Sequence, residues 1–276
     1  MKIAVIGATG LVGGMMLKIL EERNFPVSEL IPAASERSVG DAIRFKETEY
    51  RVVSIAQAVR RKPDIALFSA GSEVSLQFAP SFAEQGTVVI DNSSAWRGDP
   101  DIKLIVPEVN GKLLTKDDKI IANPNCSTIQ MVVALDPLHR KYGIKRIVVS
   151  TYQAVSGSGY KALEQMEAER QRKDSPKVYP HKIDKNCLPH AGGFGENAYT
   201  SEEMKLLHET RKIMGDENIG VSATAVRVAV EVSHSESINV EFQNEFEIGE
   251  VREILEKAAG VKVLDDPAAN AYPMPM

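Results

Sequence analysis

The stretch from residue 2 to residue 22 constrains the fold more than any other part of this chain. Residues 2–6, KIAVI, form a short apolar run typical of a strand buried in a parallel sheet. The glycine-rich sequence GATGLVG follows at once, and an amphipathic helix is predicted over residues 11–22. Glycines in such a turn let the backbone approach a pyrophosphate at the helix N-terminus. This order of elements favours a dinucleotide-binding unit over a plain strand-to-helix turn.

Further apolar strands are predicted along the first 125 residues, with helices between them. These strands are 30–34, 51–54, 65–69, 87–91 and 119–122. Strands that alternate with helices indicate a doubly wound parallel sheet. The loops after the strands share the carboxyl edge of such a sheet, where ligands bind in this architecture. We therefore predict an α/β fold in which residues 1–125 form a Rossmann-like dinucleotide-binding domain.

The end of the second predicted strand indicates which dinucleotide binds. A site for NAD usually has an acidic residue there, which holds the ribose 2′-hydroxyl. Here Ser35, Arg37 and Ser38 supply a cation and hydroxyl groups, which suit the 2′-phosphate of NADP. Glu36 lies between them, but adjacent residues in a turn can point apart, and an ordinary solvated arginine is the alternative. We predict NADP as the cofactor. The predicted cofactor-binding residues are Gly7, Thr9, Gly10, Leu11, Val12, Ser35, Arg37, Ser38, Ser69, Gly71, Asn92, Ser156 and Gly157.

Cys126 has the surroundings of a nucleophile. Pro124 ends the strand before it, and Asn125 is a good N-cap for a helix that begins at the cysteine. The free N–H groups and the positive end of that helix favour a thiolate. A small buried cysteine with a structural role is the alternative, and the local sequence fits both equally well.

The pattern changes after this helix. Strands are predicted at 145–155, 221–232 and 237–242, and helices at 160–173, 200–214 and 250–259. The charged face of the helix 160–173 is typical of a solvated surface. Thr200 or Ser201 caps the next helix. These elements predict an α+β domain over residues 126–276, with helices on one face of its sheet.

Composition and charge exclude several classes of protein. A formal net charge of −5 argues against a nucleic-acid partner, because no basic excess neutralises phosphates. Two cysteines form no disulfide framework, and no His/Cys spacing resembles a metal site. The N-terminal apolar run is too short for a signal peptide, and no run reaches the length of a membrane span. We expect a cytoplasmic protein without metal or membrane partner.

Five motifs follow the glycine turn in a distinctive order: NPNCS, TYQAVSGSG, EEMK, VRV and HSES. Together they resemble the aspartate-semialdehyde dehydrogenase family over essentially the whole chain. The resemblance implies a phosphorylating oxidoreductase that interconverts L-aspartate 4-semialdehyde, phosphate and NADP with L-4-aspartyl phosphate and NADPH. It implies a role in lysine (diaminopimelate), threonine and methionine biosynthesis. It also implies a homodimer or homotetramer joined through residues 126–276, the substrate-binding and dimerisation domain.

The same resemblance assigns the catalytic residues. It makes Cys126 the nucleophile, which forms a thioester that phosphate cleaves. It makes His234 the acid/base group that exchanges a proton with the oxygen of the adduct. Gln153 orients the substrate beside the cysteine.

The substrate-binding residues implied by the resemblance are Arg97, Asn125, Glu202, Lys205 and Arg227. Arg227 holds the α-carboxylate, for which a guanidinium fork is suited. Glu202 meets the α-amino group, and Lys205 binds phosphate together with Arg97 and Asn125. Without the resemblance, Glu202 and Lys205 read as an i,i+3 ion pair on a helix surface.

Three departures from the family pattern leave other functions open. The family usually continues beyond a YPMP segment, so we expect this chain to lack its C-terminal tail. Ala229 replaces a proline, and Glu231-Val232-Ser233 precede His234 where the family has a glycine; the Glu231 carboxylate would raise the pKa of His234 if the two approach. The alternatives are an N-acetylglutamyl-phosphate reductase type of enzyme and a truncated, inactive NADP-binding homologue.

Overall fold

The computed structural model describes residues 1–174 and 177–275, and the chain forms two compact units. The first unit comprises Met1–Ile105 and Gly111–Pro124, and the second comprises Val106–Asn110 and Asn125–Met276. Residues 175, 176 and 276 lie outside the description. Within the described ranges, no helix combines the length and the apolar character needed to span a membrane.

The first unit is built on a parallel sheet. Its elements are β1 (Lys2–Ile6), α1 (Leu11–Glu22), β2 (Glu29–Ala34), β3 (Ala42–Phe45), β4 (Thr48–Arg51), β5 (Val53–Ser54), α2 (Ile55–Arg60), β6 (Ile65–Phe68), α3 (Ser72–Glu84), β7 (Val88–Asp91), β8 (Lys103–Leu104) and β9 (Ile120–Ala122). The strand order is β5-β2-β1-β6-β7-β9-β8, and every pair is parallel. The predicted doubly wound sheet is confirmed.

The position of β1 inside the sheet explains why its sequence is apolar at successive positions and does not alternate. Ala4 and Ile6 pack with Phe68 and Phe82 on one side of the sheet. Ile3 and Val5 pack with residues of α1 and β2 on the other side. A strand covered on both faces has no polar side to present, which is the usual condition in parallel sheets.

The predicted strand 51–54 is wrong as a single element. Arg51 ends β4, which forms an antiparallel hairpin with β3, whereas Val53–Ser54 is β5 and pairs with β2. Most side chains of this hairpin are exposed or half-buried. Its first strand therefore has no apolar run from which it could be predicted. Buried Val52 separates the two strands.

The second unit is built on a mixed sheet. Its elements are α4 (Pro107–Asn110), α5 (Cys126–Tyr142), β10 (Ile144–Gln153), α6 (Tyr160–Arg170), β11 (Cys187–Leu188), α7 (Ser201–Met214), β12 (Gly220–Val228), β13 (Ser235–Phe242) and α8 (Ile248–Lys257). The strand order is β11-β12-β10-β13; β10 is parallel to β12 and antiparallel to β13. Apolar residues of α5 and α7, among them Met131 and Leu206, pack with Ile147 and Val149 of the sheet. The predicted α+β architecture is confirmed.

Two local expectations for this unit fail. Helix α6 is not simply a solvated surface, because Gln165 is 2% exposed and Glu169 accepts hydrogen bonds from the N–H groups of Ile183 and Asp184 at 2.8 and 2.9 Å. Glu169 therefore holds the backbone at residues 183–184 through these two hydrogen bonds. The predicted strand 221–232 ends at Val228, because the backbone then turns away and pairs with residues 155–156.

Candidate active site

Cys126 is the first residue of α5. The side-chain oxygen of Asn125 accepts hydrogen bonds from the N–H groups of Ser127 and Thr128 at 3.0 and 3.2 Å, which fixes the start of the helix. The thiol of Cys126 is exposed and belongs to no disulfide. The predicted N-cap therefore presents an accessible sulfur at the positive end of a 17-residue helix.

His234 faces this sulfur. Its Nε2 lies 3.2 Å from Sγ of Cys126, and its Nδ1 accepts a hydrogen bond of 2.9 Å from the N–H of Ala154. Because an N–H group can only donate, Nδ1 carries no proton, and the neutral ring holds its hydrogen on Nε2. The proton of His234 therefore points at Sγ of Cys126. Ser233 holds a left-handed φ of 69° just before the histidine.

The surroundings of His234 favour its neutral form. Burial lowers the pKa of His234 below its ordinary value, and the positive charge of Arg227 lowers it further, while Glu202 opposes the shift. Glu231, which was expected to raise this pKa if it approached the ring, is not among the groups that shift it. The carboxylate of Glu231 instead binds Nη1 of Arg170 at 3.1 Å.

Gln153 and Glu202 meet beside Cys126. The Nε2 of fully buried Gln153 donates to Oγ of Ser127 at 2.7 Å and to Oε1 of Glu202 at 3.4 Å. Oε1 of Glu202 also accepts from the amide of Asn125 at 2.7 Å. Two predicted site residues thus share one carboxylate.

Glu202 and Lys205 form an ion pair of 2.9 Å on α7, but it is not a surface pair. Glu202 is only 7% exposed. Although burial alone raises the pKa of Glu202, Lys205 and then Asn125 and Arg227 lower it below its ordinary value, so the carboxylate is charged. Glu202 therefore places a negative charge among cationic and amide groups.

Arg227 reaches the same region from β12. Its Nη1 donates to the carbonyl of Ala154 at 2.9 Å, whereas its buried Nε has no hydrogen-bond partner among the described residues. Gly157 gives it room, because a Cβ at that position would lie 2.6 Å from Nη1. A buried guanidinium with an unpaired donor is suited to a carboxylate ligand.

The second unit thus brings together most of the predicted catalytic and substrate-binding residues. These are Asn125, Cys126, Gln153, Glu202, Lys205, Arg227 and His234, with Gly157 against Arg227 and His234. Sequence reasoning missed the backbone of Ala154, which holds both Arg227 and His234, and no sequence signal marks a backbone contact. It also missed Glu209, which accepts from the N–H of Asn125 at 2.6 Å. Its spacing of seven residues from Glu202 on one helix face was the available signal.

The glycine turn of the first unit fits a bound pyrophosphate. A Cβ at Gly13 would lie 2.1 Å from the carbonyl oxygen of Gly7, so only glycine allows α1 to start this close to the end of β1. Gly7 has a φ of +88°. Gly10 is the N-cap of α1 and offers no capping side chain, which leaves the first N–H groups of the helix for an anion.

The remaining predicted cofactor residues of this unit follow strands of the parallel sheet. Ser35, Arg37 and Ser38 follow β2, Ser69 and Gly71 follow β6, Asn92 follows β7, and Thr9, Leu11 and Val12 are exposed at the start of α1. Arg97 lies in this unit too, where its Nη2 donates to the carbonyl of Asn92 at 2.8 Å. Ser156 and Gly157 belong to the second unit. The described residues contain no group of three His, Cys, Asp or Glu side chains that could hold a metal ion.

Both halves of the chain match known protein families. Residues 2–116 match the semialdehyde dehydrogenase NAD binding domain, and residues 135–276 match the semialdehyde dehydrogenase dimerisation domain. The chain is 57% identical to the aspartate-semialdehyde dehydrogenase of Aquifex aeolicus (strain VF5), over 100% of this chain and 84% of that protein. The chain belongs to the aspartate-semialdehyde dehydrogenase family. The family resemblance in the motifs is therefore confirmed.

Solved structures of the aspartate-semialdehyde dehydrogenase family agree. The enzyme II of Vibrio cholerae complexed with ASA is 44% identical, with a TM-score of 0.90 over 94% of this chain and 80% of that one. The enzyme of Candida albicans with NADP is 25% identical, with a TM-score of 0.70 over 93% of this chain and 76% of that one. The family match includes a nucleotide-binding domain and a dimerisation domain in this chain.

Proposed function

We propose that this chain is an NADP-dependent, phosphorylating aspartate-semialdehyde dehydrogenase. It interconverts L-aspartate 4-semialdehyde, phosphate and NADP with L-4-aspartyl phosphate and NADPH. One observation carries the proposal: Sγ of Cys126 lies 3.2 Å from Nε2 of His234, beside a buried arginine and a buried glutamate that suit an amino-acid head group. The family to which the chain belongs supports the same reaction.

Cys126 is the proposed nucleophile. As a thiolate, its sulfur adds to the aldehyde carbon and forms a thiohemiacetal, which is oxidised to a thioester. Phosphate then attacks the thioester carbon, and the thiolate leaves. The reverse sequence reduces the acyl phosphate, since a thiolate serves both as nucleophile and as leaving group.

His234 is the proposed acid/base group. Its Nε2–H lies beside the sulfur, within reach of the oxygen that would develop negative charge on the carbon to which the sulfur adds. The hydrogen bond from Ala154 holds the ring in this orientation. Gln153, which is anchored to Ser127 and Glu202, orients the substrate beside the sulfur.

The proposed head-group site pairs Arg227 with the α-carboxylate and Glu202 with the α-amino group. The unpaired Nε of Arg227 and the charged state of Glu202 support this assignment. Lys205, Asn125 and Arg97 are the proposed phosphate ligands. An N-acetylated substrate has no ammonium group for Glu202, which favours aspartate semialdehyde over an N-acetylglutamyl substrate.

NADP is the proposed cofactor, and it accepts the hydride when bound. The glycine turn and the N-terminus of α1 hold its pyrophosphate, with the other predicted cofactor residues around them. Exposed Arg37, which forms no hydrogen bond or ion pair with another described residue, supports a site for the 2′-phosphate. The relative in Candida albicans was solved with NADP.

The wider assignments follow from this reaction. We assign dinucleotide binding to residues 1–125 and substrate binding and dimerisation to residues 126–276. The protein acts in the cytoplasm, in lysine, threonine and methionine biosynthesis, as a homodimer or homotetramer. The match to a dimerisation domain supports self-association.

Steady-state kinetics test the proposal. Purified protein is mixed with aspartate semialdehyde, phosphate and NADP, and NADPH is followed by absorbance, with Cys126→Ser as the matched control. We expect phosphate-dependent NADPH formation that the substitution abolishes. Inert wild type that still binds NADP would support an inactive homologue, and activity only with N-acetylglutamate semialdehyde would support the alternative enzyme.

A further inference from the structure

Glu236 is a shielded acid to which the proposed reaction gives no role. It lies on β13, two residues after His234. Both of its carboxyl oxygens are shielded from solvent, and within the described residues they form no hydrogen bond of good geometry, only a marginal contact with the side chain of Gln130. Ionising a carboxyl that is shielded from water is unfavourable, so a buried glutamate at this position costs stability unless it is protonated.

Three rows of apolar core side chains in the second unit each end in a polar residue. The rows are Leu138, Leu135, Met131 and Thr128 on α5; Ile147, Val149 and Thr151 on β10; and Phe242, Val240, Ile238 and Glu236 on β13. In the antiparallel pairing, Glu236 lies directly opposite Thr151. The side chain of Gln130, also on α5, contacts Glu236. We call Thr128, Gln130, Thr151 and Glu236 the polar layer.

The polar layer adjoins the reacting groups. Thr151 is two residues from Gln153 on one strand face, and Thr128 lies in the first turn of α5, the turn that begins at Cys126. The hydroxyls of Thr128 and Thr151 are buried and find no partner in the described part of the chain, and the same holds for Oε1 of Gln153. Several of the unpaired buried atoms of the described chain are therefore concentrated around the proposed active site.

A protonated carboxyl suits these neighbours better than a charged one. Its O–H can donate to the hydroxyl oxygen of Thr151 across the strand pair. Burial raises the pKa of Glu236 to about 7, and the side chain of Gln130 on α5 opposes the shift. The facing residues Gln130 and Thr151 are uncharged, and no charged group contributes to the shift.

We propose that Glu236 is a positioning residue that works in its protonated form, completing the polar layer behind Cys126 and Gln153. Its ionisation places a negative charge in the polar layer that adjoins Gln153, and this charge lowers the activity. This inference rests on the proposed function, because it gives Glu236 a role in that reaction. It predicts that activity declines as the pH rises through the range in which Glu236 ionises.

The pH dependence of kcat/KM tests this role. Glu236→Gln keeps the shape and is uncharged at every pH, while Glu241→Gln is the matched control, an exposed residue of the same strand paired with Lys145. Relative to its own activity near neutral pH, E236Q retains about tenfold more activity than wild type in alkaline solution. E241Q follows the wild-type profile. Coincident profiles for E236Q and wild type would overturn the proposal.

Urea unfolding at several pH values tests the protonation state without relying on activity. A carboxyl whose pKa is raised on folding stabilises the folded state least above that pKa, so wild type loses stability relative to E236Q as the pH rises from about 5 to about 8, by roughly a hundredfold in the unfolding constant. A pH-independent difference would overturn the proposal. Inert wild type in the kinetic assay would instead overturn the proposed function and the role of Glu236 in it.

Discussion

Replacing Asn125 with alanine tests how the start of α5 is held. The substitution removes two hydrogen bonds that cap the helix and one bond from the side-chain amide to the buried carboxylate of Glu202. Loss of an N-cap costs about 1 kcal/mol. Loss of a bond to a buried charged group costs roughly 1.5–3 kcal/mol. We therefore expect Asn125→Ala to lower the free energy of unfolding by about 3 kcal/mol.

Asn125→Ser is the matched control, because serine keeps a capping oxygen and lacks the amide donor. We expect it to lose only the contribution of the Glu202 bond, and so to cost about 1 kcal/mol less than alanine. Urea unfolding followed by circular dichroism near neutral pH, where Glu202 is charged, measures both. The reasoning is refuted if alanine costs less than about 1 kcal/mol or if serine restores full stability.

Three further predictions concern single residues. Arg37→Ala weakens NADP binding far more than NAD binding in isothermal titration, and equal loss for both would contradict the 2′-phosphate assignment. Ser233→Gly relieves a left-handed backbone and raises the free energy of unfolding by up to about 1 kcal/mol in urea unfolding. Ser235→Gly, in a strand, lowers it. Arg227→Lys keeps the charge but loses the fork, so kcat/KM for the semialdehyde falls roughly 10- to 100-fold, and an unchanged value would exclude Arg227 from the head-group site.

The elements with strong local signals were predictable from the sequence. The helix 11–22 after the glycine turn matches α1, and Thr200 caps α7 in a box with Glu203. In both cases the signal and the contact lie within a few residues of each other. Cys126 at the start of its helix follows the same rule, since Asn125 and Pro124 are its immediate neighbours.

The features that the sequence did not predict depend on contacts between residues that are distant in sequence. The alternating pattern 221–232 continues past Val228, but the backbone of Val230 and Glu231 pairs with residues 155–156 instead of the sheet. Glu231 binds Arg170, a partner 61 residues away, and so does not shift the pKa of His234. The strand register that places Glu236 opposite Thr151 also has no local signal.

In the proposed reaction Cys126 forms a covalent acyl-enzyme. A reaction without phosphate tests this directly. The protein is mixed with aspartate semialdehyde and NADP without phosphate, NADPH is measured, and the mass of the Cys126 peptide is determined. We expect a burst of no more than one NADPH per chain, an acyl group on Cys126, and renewed turnover when phosphate is added. The same burst from Cys126→Ser, or NADPH without a modified Cys126, would contradict it.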